Sequence, residues 1–94
     1  MGLPLYQLVR VAASGAVASA AAKVMAVLVA TKDNDEWHVK FTDDANGAGT
    51  AVIAVSGKSY DGKFYDFTPL GGVIFGTAIY ATIDQCDEVF VWIE

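Results

Sequence analysis

An all-β domain, a small antiparallel β-sandwich or barrel with an N-terminal extended arm, is the architecture to which this sequence points. Turn signals recur about every ten residues, short apolar runs alternate with polar positions between them, and no long helical period competes beyond Glu36. Length sets the frame, because 94 residues hold one domain. A composition 54% hydrophobic and 18% charged, with mean hydropathy +0.41, excludes intrinsic disorder.

Leu5 to Val11 reads as a strand, with Leu5, Gln7, Val9 and Val11 on one side and Tyr6, Leu8 and Arg10 on the other. Ser14-Gly15 punctuates it. Ala16 to Ala22 is compatible with a helix, since alanine is the best helix former. In an otherwise all-β chain it is expected to be extended, its small side chains letting another backbone approach. Val24, Val27 and Val29 then favour a strand over Lys23 to Thr31. Residues 1–22 are thus expected to form the arm and first strand, and residues 23–94 the sandwich domain.

Thr31 to Asp35 turns the chain into Glu36 to Phe41, where alternation directs Trp37, Val39 and Phe41 inward. Asn46-Gly47 is a reversal signal, as both residues tolerate positive φ. Thr50 to Val55 is a short β-branched run, Tyr60-Asp61-Gly62 a turn, and Lys63 to Phe67 an aromatic strand. Pro69 and Gly71-Gly72 break the chain again. Val73 to Ile83 is expected as the longest strand, with Val73, Phe75, Thr77, Ile79 and Ala81 on one face. After a turn at Asp84 to Asp87, Glu88 to Ile93 is expected to return as its hairpin partner.

Charge divides unevenly along the chain. The net charge is −5 and the pI about 4.5, against a phosphate-binding protein with a basic surface, so no nucleic-acid partner is expected. Arg10, Lys23 and Lys32 give the first 32 residues +3; three basic and eleven acidic residues give the remainder −8. A basic, alanine-rich start with Ala-x-Ala sites between Ala18 and Ala22 has the look of a secretory leader. Lys23 interrupts the apolar stretch, and the segment is expected to be retained. Val24 to Ala30 is far shorter than the roughly 20 residues a bilayer needs, so no membrane partner is expected.

Candidate chemistry is sparse. His38 falls on the polar face of an alternating strand, where an exposed imidazole is expected rather than a general base. Cys86 is a lone cysteine beside Asp84, Asp87 and Glu88, whose charges oppose thiolate formation. Asp33-Asn34-Asp35-Glu36 and Asp43-Asp44-Ala45-Asn46-Gly47 carry enough oxygen for a hard cation, yet Ile53 occupies the position where an EF-hand needs Glu. These carboxylates are expected to be solvated turn residues. Trp37, Tyr60, Tyr65, Tyr80 and Trp92 are candidates for a sugar-stacking face, with core packing the commoner fate. Gly71-Gly72 precedes a strand, so no helix N-terminus is there to hold a phosphate. No catalytic residue, cofactor or metal site is expected.

Surplus apolar surface is the informative feature. Val24 to Ala30 and Val73 to Ala81 are apolar on both faces, and a two-faced apolar strand must be covered twice. One sandwich core covers one side; a partner is expected over the other. Candidate interface residues are Leu5, Tyr6, Leu8, Val9, Arg10 and Val17 from the arm, with Ile74, Tyr80, Phe90 and Trp92 from the body.

The layout resembles small virion structural proteins of tailed bacteriophages, capsid decoration (cement) proteins in particular. The resemblance rests on the Ala/Ser/Gly-rich start, the Thr42-to-Thr50 turn, the aromatic strand running into a Pro/Gly break, the Gly72-to-Tyr80 segment, and a terminal aromatic strand from Glu88 to Glu94. It covers residues 10–94 and brings no catalytic residues. It implies a non-enzymatic protein at the capsid surface of a virion, bound to the major capsid protein or other virion subunits, and a homo-oligomer, by preference a trimer. A head-tail, tail or other virion component and a carbohydrate-binding β-sandwich stand as alternatives.

Overall fold

In the computed structural model, which describes residues 6–30, 36–58 and 63–94, nine strands form two antiparallel sheets packed as a sandwich. They are β1 (Gln7–Val11), β2 (Gly15–Ala18), β3 (Ala22–Ala30), β4 (Trp37–Thr42), β5 (Ala51–Gly57), β6 (Lys63–Asp66), β7 (Val73–Phe75), β8 (Ile79–Asp84) and β9 (Glu88–Ile93). The first sheet runs β1-β9-β3-β6, with β7 also paired to β3; the second runs β2-β8-β4-β5. The all-β antiparallel architecture read from the turn spacing is the one observed.

β3 explains why the first sheet is built around it. Past Lys23 its residues are all apolar, and Val24 to Val27 are all buried. Only a central strand has neighbours on each side and material on both faces. Val27 and Val29 face inward opposite Val91 and Val89 of β9, and Val9 and Val11 of β1 continue those rows. In the second sheet Trp37, Val39 and Phe41 alternate inward as expected, each no more than 1% exposed. Phe75, Ile79 and Ala81 complete the core between the sheets. Each large side chain so buried contributes roughly 1.5–3 kcal/mol relative to exposure.

Three expectations are corrected. The segment Val73 to Ile83 is two strands in different sheets, not one. Asp43 accepts backbone N–H bonds from Gly76 (2.9 Å), Thr77 (2.7 Å) and Ala78 (3.2 Å), removing three donors from any ladder just where the chain leaves the first sheet. Alternation slips there, so that Ala78 and Ile79 are both buried while Thr77 is exposed.

Glu88 to Ile93 is not the hairpin partner of the preceding strand. β8 already has β2 and β4 on its two sides, which leaves no edge for β9. Gln85, at φ 61°, turns the chain out of the second sheet, and the Asp87 amide bonds the Ala30 carbonyl at 3.2 Å, carrying it to β3. The true hairpin joins β4 to β5 through residues 43–50, with Gly47 at φ 79°.

Third, the described part of the arm, residues 6–22, belongs to the sandwich. β1 pairs β9 along its whole length and β2 pairs β8, so each sheet has one border strand from this segment. Val11 and Val17 are in the core, and the boundary at residue 22 divides nothing. The turns at 31–35 and 60–62 lie outside the described residues.

A candidate docking face on the first sheet

Alternation along β1, β9, β3 and β6 sends one set of side chains inward and the other to the outer face of the first sheet. The outer set falls in cross-strand rows. One row is Leu8–Trp92–Ala26–Asp66, and the next is Arg10–Phe90–Leu28–Phe64. Ile74, opposite Lys23, extends the face past β6. Exposure is high for residues of this kind: Leu8 53%, Phe64 58% and Ile74 70%. Tyr6 and Leu70 at its margins are exposed as well.

The chain covers part of this face itself. The loop after β6, closed by a one-turn 3-10 helix (Thr68–Leu70), is tied down by the Phe67 amide on the Met25 carbonyl at 2.8 Å. Gly72, at φ 89°, lies so close to Met25 that an added Cβ would come within 2.5 Å of its sulfur. Met25 and Ala26 are thereby buried on the outer side. What stays open is a hollow of about 230 Å³ bordered by Tyr6, Met25, Phe64, Asp66 and Trp92. At the far end of the face an Arg10–Glu88 ion pair closes the apolar patch.

Of the ten candidate interface residues, Tyr6, Leu8, Arg10, Ile74, Phe90 and Trp92 are brought together here. Val9 and Val17 are corrected: alternation turns both inward, where they pack with the core. Tyr80 is half-buried on the opposite sheet, its ring against Gly47. Leu5 lies outside the described residues. Phe64 and Leu28 were missed. Both alternate with Tyr65 and Val27, which the structure turns inward.

The outer face of the second sheet is different in kind. Its rows read Ser56–His38–Asp84 and Ala54–Lys40–Thr82. Serine, histidine and aspartate in one row suggest a nucleophilic triad, but the geometry does not make one. His38 Nε2 pairs with the Glu36 carboxylate at 2.9 Å, the imidazole is about half exposed, and no hydrogen bond joins it to Ser56.

The acidic turn acts on the backbone rather than on solvent. Besides the Asp43 clasp, Asp44 accepts from the Thr42 hydroxyl at 2.8 Å and the amides of Gly47 and Gly49. Hydrogen bonds from Gly76 and Thr77 foremost hold the Asp43 carboxyl below its ordinary range. Desolvation works against Asp44 ionisation but is outweighed by the bonds from Thr42 and the loop amides, so its pKa is also lowered. Desolvation, then Asp87 and Asp84, pushes the Cys86 thiol up, which suits an inert thiol. Among the described residues no group of three His, Cys, Asp or Glu converges as for a metal. The sugar-stacking constellation is not assembled: Trp37 is wholly buried, Tyr65 faces inward, Tyr80 and Trp92 are on opposite sheets, and Tyr60 lies outside the described residues.

Comparison with known protein families, curated proteins and solved structures finds no match to this chain.

Proposed function

We propose that this chain is a non-enzymatic structural protein that docks through the outer face of its first sheet. In this reading it is a virion component of the decoration type, cementing a capsid by bridging subunits of the major capsid protein. The asymmetry of the two outer faces carries the reading. One presents Leu8, Phe64, Ile74, Phe90 and Trp92; the other presents His38, Lys40, Ser56, Thr82 and Asp84, with Val52 exposed at its β5 border. Exposed apolar side chains gathered on one face of a small domain mark an interaction surface. Removing them from water yields roughly 25 cal/mol per Å², and copies gripping a repeating shell add avidity. No helix among the described residues is long and apolar enough to cross a membrane.

The test is co-sedimentation with shells assembled from the major capsid protein encoded in the same genome. The expected result is that the chain pellets with shells, that Phe64→Lys abolishes pelleting, and that Lys40→Glu on the other face leaves it intact. A chain that stays in the supernatant, or a Phe64→Lys variant that pellets as before, contradicts the reading.

A further inference from the structure

The strand edges bordering the two sheets are unequal. β6 and β7 share an edge broken by residues 67–72 with Pro69, and β6 carries Lys63 and Asp66. β2 has four residues and a register shift between Ala16 and Ala18. β1 carries Arg10. Charge, proline, irregularity and shortness are the devices that stop an edge from pairing. Of these β5 has only a register shift at its start, where Thr42 pairs Ala51 and Phe41 pairs Ile53; from Ile53 to Gly57 its pairing is regular. Its seven residues, Ala51 to Gly57, hold no charge and no proline, and among the described residues its partner is β4 alone.

We propose that β5 pairs antiparallel with β5 of a second copy about a two-fold axis at Ala54, joining the two second sheets edge to edge. Self-complementarity selects this occupant. With Ala54 opposite its own symmetry mate, Ile53 faces the partner's Val55 and Val52 the partner's Ser56, so no like charges meet. Ile53 and Val55 point inward, and Val55, half-buried in the single chain, gains cover where the cores join. The flanks agree in charge. The loop before β5 carries Asp43 and Asp44, and Lys58 follows the strand, so antiparallel pairing brings each lysine toward the other copy's acidic loop. Parallel pairing would set Lys58 against Lys58. An isologous contact also closes on itself, whereas β5 against another edge would propagate as a filament. The resulting assembly is a dimer, in place of the trimer that the resemblance implies. It stands apart from the docking reading, because the first sheet's outer face stays free.

Light scattering of the full chain over a concentration series is expected to reach twice the 9.9 kDa chain mass. Ala54→Lys and Ala54→Glu, at an exposed position, should each give the single-chain mass, and mixing the two should restore the doubled mass. A wild type that stays at the single-chain mass, a tripled mass, or a doubled mass retained by Ala54→Lys overturns the proposal. Ala54→Cys in a Cys86→Ser background guards against misfolding of the charged variants. Opposed strand residues are about 4.5–5.5 Å apart at Cα, within disulfide reach. Oxidation should therefore cross-link this variant into a covalent dimer and leave Leu70→Cys in the same background monomeric. Failure to cross-link overturns it too.

Discussion

Phe64 and Trp92 meet edge to face across β3, with ring centroids 6.0 Å apart and planes at 83°. They belong to strands on either side of β3, roughly 9–10 Å apart at two strand spacings. The rings reach each other because Ala26, opposite Trp92, raises nothing between them. The contact is the centre of the apolar face, and Phe64 remains 58% exposed while making it.

Phe64→Ala should therefore separate folding from docking. Losing the ring pair is expected to cost about 0.5–1.5 kcal/mol in urea denaturation. Shell binding, read by co-sedimentation, should fall far more than that loss of stability explains. Ala26→Leu should weaken both, since its side chain would wedge the two rings apart.

Asp43 links the turn before β5 to the crossover between β7 and β8, and this makes the fold acid-sensitive in a defined window. Its pKa in the folded state lies below the ordinary 3.8, so its contribution is fully present above that value. It is lost as pH falls through the folded-state pKa, and Asp44 and Asp66 act in the same direction. Thermal denaturation of the wild type is expected to show a declining midpoint below about pH 4. Asp43→Asn should lower the midpoint at neutral pH and flatten the acid decline, because the side-chain amide has one acceptor oxygen where the carboxylate uses both, Oδ2 for Gly76 and Oδ1 for Thr77 and Ala78.

Trp37 and Gly57 test the packing at the end of the second sheet. A Cβ at Gly57 would come within 2.6 Å of the Trp37 ring, so Gly57→Ala is expected to cost about 1–3 kcal/mol. Trp37 Nε1 is buried without an acceptor among the described residues. Trp37→Phe removes that unpaired donor along with some volume, and the two effects offset, leaving an expected loss under about 1.5 kcal/mol. Chemical denaturation of both variants checks the order.

The Arg10–Glu88 pair should matter little to stability. Arg10 is 62% exposed at its side chain, and pairs of this kind are worth about 0–1 kcal/mol and weaken with salt. Glu88→Gln is expected to shift the denaturation midpoint only slightly at low ionic strength and not at all at high.

The strands and their facing were legible because alternation is local: Trp37, Val39 and Phe41 announce an inward face without reference to anything distant. The apolar outer face was legible in part, since Leu8, Phe90 and Trp92 lie on the outward phase of strands with clear period. Two features were hidden. The break between Phe75 and Ile79 depends on a carboxylate more than thirty residues earlier, and no local pattern around Gly76 reports Asp43. The placement of β9 beside β3 depends on β8 having both flanks filled, which is a property of the assembled sheet.

Collisional quenching of Trp92 by acrylamide, in a Trp37→Phe background where Trp92 is the lone tryptophan of the chain, reports the proposed docking face directly. The quenching constant is expected to drop when the chain binds its shell, as the partly buried indole is taken wholly out of water. Unchanged quenching in the bound state would mean that the chain attaches by another surface, and would contradict the account.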